Sequence, residues 1–193
     1  MLGPEYQETV NVLLTLYKAF EGTLETEEQV FNKIQKQEKY LKLRISENIE
    51  INVAGNEIFE GFRGRNEEES VFSYYKKKIL NKKLCDRIEA NLIGSERINS
   101  LVIVLNGNRI GQELDVYRKI VGEFKAKGIF YPHAIITTPE YVIDKENLVE
   151  QVSIELGISR SCCHFTSIYT SSSWQNSIDT DLRSLTTLSD ILQ

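Results

Sequence analysis

Cysteine, histidine and proline are scarce: the 193 residues hold three, two and three of them. Three thiols, two of them adjacent (Cys162 and Cys163), build no disulfide framework, and a reducing, cytosolic setting follows as the default. His133 and His164 leave no ligand spacing typical of a zinc site. No basic segment leads into an apolar N-terminal core, and the run Leu101–Leu105 is far too short for a bilayer, so neither a signal peptide nor a membrane span is expected. Proline- or glycine-rich linkers, repeats and low-complexity tracts are also missing, which favours one domain over residues 1–193. The net charge of −5 argues against a dedicated nucleic-acid binder. What remains, 41% hydrophobic and 26% charged residues, suits a globular fold with a sizeable core.

Periodicity supplies the elements. Val10, Leu13, Leu14, Tyr17 and Phe20 recur at helical spacing, and Gly22 offers a left-handed stop. The acidic stretch "TLETEEQVFNKIQKQ" (23–37) reads as a loop with at most a helical turn or two. "KYLKLRIS" (39–46) and "NIEIN" (48–52) alternate apolar with polar residues and pair as a hairpin. "NEEESVFSYYKKKIL" (66–80) has the acidic start and basic end of a helix; its aromatics and lysines read as a solvated helix end rather than an RNA platform. "LVIVLN" (101–106) and "FYPHAIIT" (130–137) are nearly continuous apolar runs, as in strands covered on both faces. Between and after them come helices over 112–128, stopped by Gly128, and 144–157, capped by Asp144 and stopped by Gly157. "CCHFTSIY" (162–169) reads as a last strand and 179–192 as a last helix. Strand and helix alternating at these lengths predict an α/β fold with a parallel sheet and helical crossovers.

Ligands of an open parallel sheet sit at the carboxyl ends of its strands, so the residues after each strand carry the chemistry. Gly3 to Val10 has the length of a G-x-x-x-x-G-K-[ST] phosphate loop, with Glu8, Thr9 and Val10 at its last three positions. Asn52 and Gly55 stand where a GTPase carries Asp-x-x-Gly. Thr137 to Glu140 stands where it carries [NT]-K-x-D, and Thr166–Ser167 aligns with the loop that also touches the base. Each segment also has a plainer reading: a turn before a helix, a strand-ending turn, and an extended loop start imposed by Pro139. Cys162, Cys163 and His164 alternate across a strand and are read as core and surface residues rather than a metal or nucleophile site. Cys85 reads as a small buried residue, and Trp174 as either a partner anchor or a cover for the sheet edge.

In this order, at the ends of these strands, the segments resemble a Ras-like GTPase domain. More narrowly, "LGPEYQETVNVLLTLYKAFEG", "ERINSLVIVLNGNRI", "KAKGIFYPHAIITTPE" and "IYTSSSW" resemble the interferon-induced protein forty-four family of GTPase-like proteins. The resemblance implies a P-loop NTPase-like three-layer sandwich, with a mostly parallel sheet and one antiparallel hairpin strand. It further implies a cytoplasmic protein of interferon-type, innate-immune responses. The first central strand is truncated on this reading, with only Met1 and Leu2 left; the gap is filled by another segment or by a partner's strand, or the chain is a truncated product without independent activity.

The resemblance stops at the chemistry. Thr9 replaces the lysine that neutralises phosphates, Val10 the hydroxyl that binds Mg²⁺, and Asn52 the carboxylate that orients the metal. Glu8 sets a negative charge where backbone amides would face a polyanion. Gly3, Gly55, Thr137, Glu140, Thr166 and Ser167 keep only their positions. The expectation is therefore a GTPase-like domain without catalysis, acting through an unidentified protein partner, with no cofactor and no metal. GTP or GDP with Mg²⁺ belongs to the alternative of a divergent hydrolase.

Overall fold

The computed structural model describes residues 6–22, 35–37, 40–44, 50–54, 100–112, 114–126, 131–137, 142–169 and 177–193. The first element is helix α1 (Tyr6–Glu21), which ends where Gly22 turns left-handed at φ +61° and donates its N–H to the Lys18 carbonyl at 3.0 Å. The expected apolar stripe is buried at Val10, Leu13, Leu14 and Tyr17, but Phe20 is 41% exposed. Burial is also not confined to a stripe. From Glu8 to Ala19 every residue except Asn11 is buried, the state of an interior helix rather than a surface one. The Thr15 hydroxyl donates to the Asn11 carbonyl at 2.7 Å and accepts the Tyr169 N–H, 154 residues away, at 2.9 Å.

Strands β1 (Gln35–Gln37), β2 (Tyr40–Arg44) and β3 (Glu50–Ala54) form an antiparallel sheet in that order. β2 and β3 are the expected hairpin, with Leu41 opposite Val53 and Leu43 opposite Ile51. β1 departs from the sequence reading: Gln35–Gln37, placed there in a loop, pairs with Tyr40–Lys42. Three polar residues carry no apolar alternation, so only pairing with the neighbouring strand makes this segment extended. The helix expected over 66–80, with Cys85, and the Trp174 loop lie outside the described residues.

The second sheet is parallel. β4 (Ser100–Asn106), β5 (Tyr131–Thr137) and β6 (Cys163–Phe165) lie in chain order, joined by α2 (Leu114–Ala126) and α3 (Lys145–Leu156). Leu101 to Leu105 are all buried because both faces are covered. Leu101, Ile103 and Leu105 pack with Ala134 and Ile136 against Tyr117, Ile120 and Phe124 of α2 and Val152 and Leu156 of α3. Val102, Val104 and Ile135 face the other way, onto Val12 and Leu16 of α1, with Ile168 and Ile191 completing the layer. Each such aliphatic side chain contributes about 1.5–3 kcal/mol on full burial. Tyr117 is fully buried as well, and its hydroxyl keeps a partner by donating to the Val104 carbonyl at 3.0 Å.

The crossover helix α3 has the ends its sequence announces. Asp144 accepts the Asn147 N–H at 2.9 Å, and Gly157, at φ 61° and ψ 40°, closes the helix with Ile158 donating to the Ser153 carbonyl at 3.0 Å. The last strand is shorter than the expected 162–169. Cys162 belongs to a 3₁₀ turn (Arg160–Cys162), and Thr166–Tyr169 runs on past the pairing. Helix α4 (Ile178–Leu192) then returns over the α1 face.

Candidate functional site

β4 and β5 end side by side, Asn106 opposite Thr137, and both residues turn toward the first turn of α1. There the Glu8 carboxylate is only 6% exposed. Asn106 donates its side-chain amide to both carboxylate oxygens, at 3.1 and 3.3 Å, and the Thr137 hydroxyl donates to one of them. Each donor is fixed in turn. The Asn106 side-chain oxygen accepts the Asn108 N–H at 3.0 Å, and Gly107 donates its N–H to the Thr137 carbonyl at 3.2 Å. Glu8 also stands in the helix turn whose exposed amides favour negative charge. The chain's own carboxylate thus occupies the place where the ends of β4 and β5 meet the first turn of α1.

Two residues of the sequence-derived set, Glu8 and Thr137, come together here. Thr9 and Val10 lie inside α1 and are fully buried rather than standing in a loop. Thr166 is buried and faces α4, its hydroxyl 3.3 Å from that of Thr187, while its N–H donates to the Ile136 carbonyl at 3.0 Å. Ser167 is half-buried beside it. Asn52 belongs to β3, paired with Lys42. Gly3, Gly55 and Glu140 lie outside the described residues. Asn106 was absent from the set, although it ends "LVIVLN" and thus occupies the strand-end position that marks ligand sites.

Two further polar groups lie on the α1–α4 face. Lys18, 3% exposed, holds its ammonium 3.8 Å from the centre of the Tyr169 ring. Burial lowers the lysine's pKa, and the nearby Asp181 opposes this. The Tyr169 hydroxyl has its one proton within reach of Asp181 (2.9 Å) and the Ser177 carbonyl (3.1 Å) and accepts the Ser177 N–H (2.9 Å), so it clamps the residue that caps α4. Deeper in the sheet, His133 Nδ1 and His164 Nε2 are 3.1 Å apart, with the rings stacked at 5.4 Å. Asp190 of α4 lies 3.6 Å from the other ring nitrogen, His164 Nδ1. Burial depresses both imidazoles; for His133 the neighbouring His164 adds to this, and Asp190 opposes it for both. Because Asp190 and His133 sit at opposite nitrogens of His164, the three do not converge on one ion. Among the described residues no group of three or more His, Cys, Asp or Glu is arranged to hold a metal.

Cys162 and Cys163 are half-buried free thiols, and burial pushes Cys163 up to about 11. Among the described residues, no helix is long and apolar enough to cross a membrane. No protein-family model and no curated protein matches this chain.

Proposed function

We propose that this chain is a GTPase-like domain without catalytic competence, which acts through contacts with another protein. The single observation carrying the proposal is the Glu8 carboxylate, held by Asn106 and Thr137 at the ends of two parallel strands. A phosphate brought to the same place would meet a like charge about 4 Å away, costing about 1 kcal/mol in water and about 4 at an effective dielectric of 20. Thr9 and Val10, where a phosphate loop has its lysine and Mg²⁺-binding hydroxyl, supply neither charge nor metal ligand. Phosphoryl transfer rests on positioning and charge stabilisation, so the same three positions that oppose binding also remove the chemistry. The finer architecture belongs to this reading: a P-loop NTPase-like three-layer sandwich with a mostly parallel sheet and one antiparallel hairpin strand, in a cytoplasmic protein of innate-immune responses.

Isothermal titration with GTP, GDP and ATP in Mg²⁺ tests the proposal. The expected result is no saturable heat. Micromolar binding accompanied by turnover overturns it and returns the chain to the divergent hydrolases.

A further inference from the structure

His133 and His164 are buried groups that the strand-end cluster leaves unused. Strand alternation puts His133 on the face of Ile135, and the register sets His164 opposite Ile135, on the side that α1 and α4 cover. Only one proton fits between the rings. With His133 Nδ1 3.1 Å from His164 Nε2, one ring donates and the other accepts. If both rings charge, two N–H groups meet head to head and the contact is lost. Asp190 of α4, 3.6 Å from His164 Nδ1, is the charged group that bears on the pair among the described residues, and it is partly exposed, so water screens it. The other charges of the covering helices are engaged or turned away. Glu8 holds Asn106 and Thr137, Lys18 lies over the Tyr169 ring, Asp181 meets the Tyr169 hydroxyl, Asp179 binds Arg183, and Glu21 is in solvent. β4, β5 and β6 hold no other charged side chain, and Cys163 packs toward α2 and α3.

Of the two covering helices, α4 is the one that leaves more easily, because its polarity is reversed. Toward the protein it buries Thr180, Ser184 and Thr187 beside Leu188, and among the described residues the Ser184 hydroxyl has no hydrogen-bond partner. Its larger aliphatics face outward: Ile178 (86% exposed), Leu182 (62%), Leu185 (40%) and Leu192 (47%). α1 instead buries Val10, Val12, Leu13, Leu14 and Leu16. Apolar area holds a helix in place, so detaching α4 loses far less than detaching α1. We infer that α4 is a proton-released strap: in mild acid the two imidazoles take up protons that only their exposure to water accommodates, and α4 lifts from α1 and the sheet while the rest of the domain stays folded. With α4 docked, burial lowers both imidazoles; with it lifted they return to the ordinary 6.5. Opening is therefore independent of pH well above 6.5. Below it, opening grows by up to about tenfold per pH unit for each imidazole freed, until the docked form charges as well. Asp190 works against release, because it offers a counter-charge to a proton taken up while the helix is docked. The device is separate from whatever the strand ends bind.

Amide hydrogen exchange of the full chain, followed fragment by fragment and corrected for the intrinsic pH dependence of exchange, tests the inference. The opening constant of α4 should rise at least about tenfold between about pH 7.5 and 5, while α2 and α3 keep their protection. His133→Gln leaves one acceptor and should cut that rise about threefold or more. Asp190→Asn removes the counter-charge from the docked pair and should enlarge the rise; a merely structural loss of contact would speed exchange equally at every pH. Circular dichroism shows whether each variant folds, and the partly exposed Asp190 carries the test if the buried substitution does not. Unchanged protection of α4 across this range overturns the inference. So does acid opening of α2 and α3 together with α4, which is global unfolding, or a rise of wild-type size in the folded variants.

Discussion

Replacing Glu8 with alanine removes the acceptor at the centre of the strand-end cluster. Thr137 has a fallback, since its hydroxyl also lies 3.3 Å from the Leu105 carbonyl, whereas both bonds given by the Asn106 amide among the described residues go to Glu8. Hydrogen bonds to a charged group contribute about 1.5–3 kcal/mol each, and an orphaned buried donor costs a further 1–3. Set against these are the carboxylate's own desolvation, which the variant relieves, and alanine's better helix propensity, at most about 0.7 kcal/mol. A net loss of about 3 kcal/mol follows. For a chain of this length it appears as a fall in Tm of about 6–12 °C, or as a shifted urea midpoint with the slope unchanged. Thr137→Val should show a coupling of about 1 kcal/mol or more with Glu8→Ala in a double-mutant cycle. A loss below about 1 kcal/mol with no coupling refutes the cluster, because that is what a first-turn acid gives through the helix dipole alone.

Three more outcomes follow from the same structure. His133 and His164 are held neutral, with pKa values below the ordinary 6.5, so the unfolded chain binds more protons in acid. Stability is full above that value and falls as pH drops through the lowered folded values; His133→Gln should flatten the slope between pH 7.5 and 5.5 in urea titrations, and an unchanged slope contradicts the burial argument. Tyr169→Phe removes the hydroxyl that bonds Ser177 and Asp181 around the cap of α4 and should cost about 1–3 kcal/mol, with faster amide exchange confined to the first turns of that helix. Gly157→Ala forces a side chain into φ +61° and places its Cβ 3.4 Å from the Lys125 ammonium, so a loss of about 1–2 kcal/mol by chemical denaturation is expected, and a neutral result is not.

Much of the scaffold was legible in the sequence. Apolar runs covered on both faces mark β4 and β5, and Asp144 and Gly157 mark the ends of α3, because each signal comes from a local requirement. What periodicity misses is what arises between elements. α1 reads as a helix with one apolar stripe yet is buried almost all round, with Thr15 and Lys18 meeting the Tyr169 segment. His133 and His164 stand 31 positions apart, and only the parallel register of β5 and β6 brings them together. At the site, Glu8 and Thr137 were named from motif positions, but the reason they matter, one accepting from the other beside Asn106, is a tertiary fact. The reversed face of α4 was hidden for the same reason: composition shows Thr, Ser and Leu on one helix, and only packing shows which of them turn inward.

The contact between α1 and the end of the chain also sets a schedule. Thr15 takes the Tyr169 amide 154 residues later, and Val12 and Leu16 complete their layer with Ile168 and Ile191. At ribosomal rates of about 5–20 residues per second, α1 waits roughly 8–30 s between its own synthesis and the arrival of the segment that covers it. During that interval β4 and β5 can meet Val12 and Leu16, but the cover that Ile168 and Ile191 add is missing. A nascent chain stalled before Tyr169 therefore leaves this layer incomplete and is more prone to chaperone capture than the finished chain.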